Sequence, residues 1–397
     1  MKKIVLLTII CITFQLQAQS EKYINHVCAD LHEIPLEWID SAKANLHVAY
    51  WRASHGSQLT HGGMTAIRNY DPGYANIYNF SQEQEAGALH IVEFEADLQH
   101  QNAEWVSMTE SYLDDNPECN VVMWAWCDIY EMDITQYLVD MNTLELKYGP
   151  GGSENRPVPV TFVYMTAHSW PWNGSGRSEW VYQANRQIRS YCLLNNKWLY
   201  DFNDLECYNP DGEYFGDGNQ NGSFIGDMRL RWDCSYDIDE STRGNWGIEW
   251  MNNNPESELT QMAADEYCVS CEHSDGSGDD DNSRLQCILK GNAAWWLWAN
   301  LAGWNKENPT FIPESFTTND NLVYPNPTSS YLIIETDKLS SLKHISLTGL
   351  LGNEVKTPYH IQENRIEFDL SDLSTGIYFI YITDENRNIQ VNKIIVE

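Results

Sequence analysis

Five apolar stretches of strand length, separated by connections long enough to hold a helix, constrain the fold of this chain most. They span residues 46–50, 89–94, 121–126, 160–165 and 197–201. Near-continuous apolar strands joined by long crossovers are typical of a parallel sheet that helices cover on both faces. Residues 105–113 and 180–192 fit crossover helices, and residues 291–304 fit a buried closing helix. The sequence therefore predicts an α/β fold, a three-layer α/β/α domain around a parallel sheet.

The composition changes abruptly near residue 305, which predicts a domain boundary. All 16 tryptophans and all 10 cysteines lie at or before Trp304. Residues 305–318 contain two prolines and are predicted to be a linker. Residues 319–397 alternate in hydropathy over short segments that glycines punctuate, which favours a small C-terminal all-β sandwich. The α/β domain then spans residues 19–304.

The first 18 residues have the pattern of a secretory signal peptide. Two lysines follow Met1, residues 4–14 are apolar, and Ala18 stands at a plausible cleavage point. The apolar run is too short to span a bilayer, and no later segment is long and apolar enough to do so. We therefore predict an exported protein without a transmembrane span.

The net charge of the chain excludes one class of partner. The chain has 24 basic and 57 acidic residues, a net charge of −33. This charge repels phosphate backbones, so no nucleic-acid partner is predicted.

Nine cysteines follow the leader, and an oxidising compartment favours their pairing in disulfides. Nine is odd, so at least one thiol is expected to be left over, and the sequence does not fix the pairing.

Polar side chains follow the predicted strands, at the edge of a parallel sheet where ligands bind. Ser57 follows the first strand and Gly56, and a glycine there permits a tight turn that exposes a hydroxyl. We predict Ser57 as a catalytic nucleophile; the alternative is a helix-capping serine. The candidate bases are His55, His61, His168 and His273, of which His273 lies before the closing helix.

Other polar residues are predicted to line the same pocket. The residues considered as pocket residues or alternative bases are His55, His168, Cys127 and Asp204, with His61 as a further histidine near the first strand. The alternative for each histidine is a hydrogen-bonded structural role.

Several segments together resemble a divergent SGNH (GDSL-type) hydrolase. They are residues 54–62, 124–127, 162–168, 201–206 and 271–298. The resemblance covers roughly residues 42–304 and implies a three-layer fold with flavodoxin-like strand order. It also implies a serine esterase, with Ser57 as nucleophile and His273 as base, acting on an ester or an acylated polysaccharide without a cofactor.

The chain departs from that family at three positions. Gly-Asp-Ser is replaced by His55-Gly56-Ser57, Ser270 stands where the family has an aspartate, and residues 126–128 contain no asparagine. Loss of an orienting aspartate is costly where a triad exists. The alternative function is therefore a non-catalytic carbohydrate-binding or cell-surface protein on a degenerate scaffold.

The tail resembles the C-terminal sorting domain of the type IX secretion system. The residues that carry this resemblance are 324–328, 370–379 and 393–397. It implies that the type IX machinery is a partner, and that the protein passes through the periplasm of a Gram-negative bacterium to the cell surface or the medium. The alternative is an ordinary carbohydrate-binding or linker sandwich.

The loop 211–227 partly matches a calcium-binding loop. Asp217, Asn219 and Asn221 supply oxygen ligands at alternate positions, and Gly222 follows as the glycine of the sharp turn. The twelfth position is methionine, so Asp227 is the predicted substitute ligand. A solvated Asn/Gly loop is the alternative.

Four tryptophans are candidates for stacking on the sugar rings of a polysaccharide. Trp170 and Trp172 flank a proline, and Trp246 and Trp250 lie four residues apart. Core packing is the alternative for most of the tryptophans.

Overall fold

The computed structural model describes most of the chain, with gaps. The described residues are 22–170, 176–216, 229–239, 242–268, 271, 284–305, 321–336, 342–349, 355–362, 365–384 and 389–397. The predicted signal peptide lies outside them, as does all of the predicted linker except Asn305.

A seven-stranded parallel sheet forms the centre of the large domain, as predicted. Its strands are β1 (Tyr23–Ile24), β2 (His47–Arg52), β3 (Phe80–Ser81), β4 (Leu89–Glu95), β5 (Val121–Ala125), β6 (Thr161–Met165) and β7 (Trp198–Tyr200). They are ordered β1-β7-β6-β5-β2-β4-β3, and every neighbouring pair is parallel. The five predicted strands are β2, β4, β5, β6 and β7.

Ten α-helices surround this sheet or follow it in the described chain. They are α1 (Leu36–Asn45), α2 (Thr65–Tyr70), α3 (Pro72–Ile77), α4 (Asn102–Asp115), α5 (Ile134–Tyr148), α6 (Arg177–Leu194), α7 (Phe202–Cys207), α8 (Trp246–Asn253), α9 (Glu258–Met262) and α10 (Leu285–Leu301). The predicted crossover helices lie within α4 and α6, and the closing helix α10 begins six residues earlier than predicted.

Both faces of the sheet are buried, which produces the three layers. Along β2, Val48 and Tyr50 pack into the core on the side of α1 and α10, whereas Ala49 and Trp51 pack into the core on the side of α4, α5 and α6. Tryptophans fill both cores: Trp51 stacks on Trp124 at 5.0 Å, and Trp295 has no solvent exposure. This burial explains the apolar character of both strand faces.

Helix α10 crosses the sheet close to the turn that follows β2. Residues Gln58–Met64 form a π-helix. A Cβ atom on Gly63 would lie 2.6 Å from the backbone nitrogen of Gly291, so the two backbones meet where a side chain on either would collide. Two glycines thus bring α10 against the strand-end region.

The tail is an antiparallel sandwich of two sheets. Its strands are β11 (Asn321–Tyr324), β12 (Tyr331–Thr336), β13 (Leu342–Gly349), β14 (Tyr359–Gln362), β15 (Arg365–Asp369), β16 (Gly376–Asp384) and β17 (Ile389–Val396). One sheet has the order β11-β12-β15-β14 and the other β13-β16-β17. Leu332 and Ile366 from the first sheet share a core with Ile380 and Ile394 from the second.

A small antiparallel sheet of three strands precedes α8. It consists of β8 (Arg229–Leu230), β9 (Ser235–Asp239) and β10 (Thr242–Asn245), in the order β10-β9-β8. None of the described helices has the length and apolarity that a membrane span requires.

Candidate functional site

The candidate site lies at the carboxyl ends of β2, β5 and β6. His55 follows β2 in a short 3-10 turn (Ser54–Gly56), Cys127 lies two residues past β5, and His168 lies three residues past β6. Because these strands are parallel neighbours, their carboxyl ends share one edge of the sheet. A hydrogen bond of 3.2 Å from the Ala53 amide to the Ala125 carbonyl joins the ends of β2 and β5.

Because Gly56 has no side chain, the turn packs closely against β2 and β5. A Cβ atom there would lie 2.8 Å from Cβ of Ala125 and 2.9 Å from the hydroxyl oxygen of Tyr50. The Tyr50 hydroxyl donates a 2.9 Å hydrogen bond to the Gly56 carbonyl. The turn that holds His55 is therefore fixed by the strand beneath it.

His55, Cys127 and His168 form a compact group, which we call the His–Cys–His cluster. Nδ1 of His55 lies 2.9 Å from Sγ of Cys127. The two imidazoles stack, with centroids 3.7 Å apart and planes at 18°. Each residue has one atom that can bind a metal, an imidazole nitrogen or the cysteine sulfur. These three atoms all lie within 4.8 Å of one another. The hydroxyl oxygen of Ser54 lies 3.4 Å from the same sulfur.

The hydrogen bond of His168 determines which nitrogen of its neutral ring has the proton. Nδ1 lies 2.8 Å from the Ser169 carbonyl oxygen, which accepts hydrogen bonds and cannot donate them. Nδ1 therefore has the proton in the neutral ring, and Nε2 has the lone pair.

Burial raises the pKa of the Cys127 thiol above its ordinary value. Hydrogen bonds from the Ser54 side chain and the His55 backbone oppose this rise, and the charges of Asp97 and Asp128 add to it. At neutral pH the thiol is thus protonated and requires a base to become a nucleophile.

Aromatic rings cover one side of the cluster. The Trp232 ring meets both imidazoles edge-on, at 5.4 Å from each, and lies 5.4 Å from Trp170. Arg177 lies over the Trp170 ring at 4.3 Å and pairs with Asp128 at 2.5 Å. Both tryptophans are half-buried, so the pocket has a partly apolar wall.

A buried ion pair contacts the backbone next to His168. Oε2 of Glu206 accepts a 2.5 Å hydrogen bond from the Ser169 amide, and its Oε1 lies 2.7 Å from Nζ of Lys290. Nζ of Lys290 also donates to Gln58, next to Ser57, at 2.5 Å. Burial raises the pKa of Glu206 and lowers that of Lys290, although their mutual attraction opposes both shifts.

Ser57, the predicted nucleophile, is buried. The residue is 1% exposed, and its Oγ donates a 2.7 Å hydrogen bond to the Ser54 carbonyl. β2 extends to Arg52, two residues beyond the predicted end, so Ser54 lies two residues past the strand and Ser57 lies five residues past it. His273 lies outside the described residues, and the Ser57–His273 pair stays a prediction.

Two other predicted pocket residues lie in separate ion pairs. Oδ1 of Asp204 lies 2.6 Å from Nδ1 of His26, whose ring stacks on Tyr208. Nε2 of His61 lies 3.3 Å from Oε1 of Glu93, and its side chain is partly exposed. The structure therefore brings His55, Cys127 and His168 together and pairs Asp204 with His26.

Trp246 and Trp250 pack in a core cluster, which is the alternative to stacking on sugar rings. Trp246 is 1% exposed and its indole donates to the Glu206 carbonyl; Trp250 is 8% exposed and its indole donates to Asp211. Neither ring presents a face to a sugar. Trp172, and the predicted calcium ligands Asp217, Asn219, Asn221 and Asp227, lie outside the described residues.

A disulfide is present in the large domain, as predicted. Cys271 is bonded to Cys287 on α10, with Cα atoms 6.2 Å apart. Cys119, Cys127, Cys192 and Cys268 keep free thiols. Cys127 differs from the other three because it is half-exposed, whereas they are buried.

Sequence reasoning did not single out Ser54 or Lys290. Ser54 could have been found from a more accurate end of β2. Lys290 is a lone cation within the apolar segment of α10, a pattern that predicts a buried charge with a partner.

Comparison with known proteins identifies the tail. Residues 322–397 match the family described as Secretion system C-terminal sorting domain. The tail is a type IX sorting domain. It makes this a secreted or cell-surface protein and implies interaction with the secretion machinery. No curated protein and no solved structure shows significant similarity to the chain.

Proposed function

We propose that the α/β domain is an exported ester hydrolase whose nucleophile is the Cys127 thiol and whose general base is His55. The observation that supports this assignment is the 2.9 Å separation of Nδ1 of His55 and Sγ of Cys127. A nucleophile and a base within hydrogen-bond reach are the minimum unit of covalent catalysis. The reaction class follows from the resemblance to SGNH hydrolases, whose nucleophile also lies at this edge of the sheet.

The proposed reaction has two steps. In the first, the Cys127 proton moves to His55 as sulfur attacks the ester carbonyl, and the departing alkoxide takes that proton, leaving an acyl thioester and an alcohol. In the second, water attacks the thioester after giving a proton to His55, and the departing thiolate takes this proton back. The products are a carboxylic acid and the original thiol. His168 stacks on His55 and holds its ring in place.

The wall beside the cluster favours an acylated polysaccharide as substrate. Trp170 and Trp232 are half-exposed and lie next to the imidazoles. Aromatic faces pack against the apolar faces of sugar rings. A protein delivered to the cell surface also meets polysaccharides there.

The serine mechanism that the sequence predicts, with Ser57 and His273, is the competing assignment for the same reaction. Its support is the position of Ser57 after β2 and of residue 273 before α10. A structural calcium ion bound by Asp217, Asn219, Asn221 and Asp227 also belongs to this proposal. It has no role in the chemistry.

Two reactive probes separate the thiol mechanism from the serine mechanism. Iodoacetamide alkylates a thiol and should abolish hydrolysis of a nitrophenyl ester, whereas a fluorophosphonate should leave the activity intact. Cys127→Ala should abolish turnover, and the matched control Cys119→Ala should not. Loss of activity with fluorophosphonate and in Ser57→Ala would instead support the serine mechanism. No hydrolysis of simple esters or acetylated polysaccharides would support the non-catalytic alternative.

A further inference from the structure

We propose that the His–Cys–His cluster is a binding site for a thiophilic transition-metal ion of the zinc class. This function goes beyond the proposed hydrolysis and does not depend on it. Because it uses the same Cys127 and His55 side chains, an ion bound there would block the thiol mechanism. One ligand-type atom from each of His55, Cys127 and His168 lies within 4.8 Å of the other two. Zinc binds imidazole nitrogen at about 2.0 Å and thiolate sulfur at about 2.3 Å, so one ion can reach three atoms gathered this closely. Imidazole and thiolate are also the ligands that zinc and copper(I) prefer.

The surroundings of His168 match those of a metal ligand. Its Nδ1 donates to the Ser169 carbonyl at 2.8 Å, which directs the lone pair to Nε2. Metal-binding histidines usually donate their other ring N–H to a carbonyl or carboxylate in this way. The Ser169 backbone is fixed in turn by the 2.5 Å hydrogen bond from its amide to Glu206. One ligand is thus oriented before an ion arrives.

Cys127 is half-exposed, so an ion from the solvent can reach its sulfur. A metal ion binds the thiolate and displaces the thiol proton. The protected thiolate would also resist the oxidation that a half-exposed thiol meets outside the cell.

Binding requires a small rearrangement and leaves one position open. The imidazole planes are now at 18°, so at least one ring must turn for both nitrogens to face the same ion. Three protein ligands leave a fourth tetrahedral position for water or another small ligand. The hydroxyl of Ser54 is near the cluster, with its Oγ 3.4 Å from the sulfur of Cys127.

Cobalt(II) is a suitable probe because thiolate ligation gives a charge-transfer absorption. The mature full-length chain, without a polyhistidine tag and under reducing conditions, should bind one equivalent and develop this band. Cys127→Ser should lose the band, and the matched control Cys119→Ser should keep it. A band of equal intensity in Cys127→Ser would overturn the proposal.

A second measurement needs no variant. Zinc chloride should slow the alkylation of Cys127 by iodoacetamide at least tenfold, measured by peptide mass spectrometry, and should leave Cys119 unaffected. Equal alkylation with and without zinc would overturn the proposal. Ester hydrolysis is assayed separately on the metal-free chain, so a failure of either function leaves the other result intact.

Discussion

Nζ of Lys290 lies 2.7 Å from Oε1 of Glu206, and neither side chain is exposed to solvent. This pair joins α10 to the strand-end region, since Glu206 also binds the Ser169 amide and Lys290 binds Gln58. The backbone next to His168 therefore depends on a buried charge pair between α7 and α10.

Removing one member of this pair should destabilise the domain strongly. Lys290→Met leaves Glu206 as a buried charge without its cation, and we expect a loss of about 3–5 kcal/mol in the free energy of unfolding. The double variant Lys290→Met/Glu206→Gln should recover part of this loss, because no buried charge is then left. Urea denaturation of the three proteins measures the effect. A single variant within about 1 kcal/mol of wild type would contradict it.

The ion pair between Asp204 and His26 should make stability depend on acid pH. Burial acts to raise the pKa of Asp204, but the charge and hydrogen bonds of His26, together with Arg189, outweigh it and lower the pKa below its ordinary value. A carboxylate with a lowered pKa stabilises the fold above its unfolded pKa of about 3.9, and this contribution disappears as the pH falls through the folded pKa.

Asp204→Asn isolates this charge, because the amide keeps the shape of the side chain. We expect a loss of about 2 kcal/mol at pH 7, in the range for hydrogen bonds to charged groups. The difference from wild type should shrink as the pH is lowered below about 4, where the wild-type carboxylate also becomes protonated. Denaturation curves at several pH values measure it, and a difference that stays constant down to pH 2 would refute the assignment.

Calcium removal should lower the melting temperature if the loop around Asp217 binds an ion. A ligand present at about 100 times its dissociation constant stabilises the native state by about 2.7 kcal/mol. Chelation should remove this stabilisation, and Asp217→Ala should abolish the response to chelator. Identical melting curves of the wild-type protein with and without chelator would rule out the site.

Deletion of residues 319–397 should trap the protein in the periplasm. The sandwich has its own core, so the α/β domain should fold without it. Fractionation of the native host measures the location of the truncated chain, with the full-length chain as the control. Delivery of the truncated chain to the surface or medium at normal levels would show that export does not need the tail.

Local sequence patterns predicted the strands well. β5 is buried along its whole length, so every residue in it is apolar and the stretch is recognisable without the fold. The tail alternates because one face of each sheet packs on the core; in β15, Ile366 and Phe368 are buried and their neighbours are exposed. The end of β2 was less predictable, because Arg52 continues the strand in a buried ion pair with Glu93.

The sequence by itself determined the parallel sheet, the tail and the polar residues that follow each strand, because hydropathy patterns arise from burial along a single segment. Only the tertiary structure decided which of those residues meet. His55 and Cys127 are 72 positions apart, and Glu206 and Lys290 are 84 apart. Their contacts depend on strand order and on the close crossing of α10 at Gly63 and Gly291, and no local pattern encodes either.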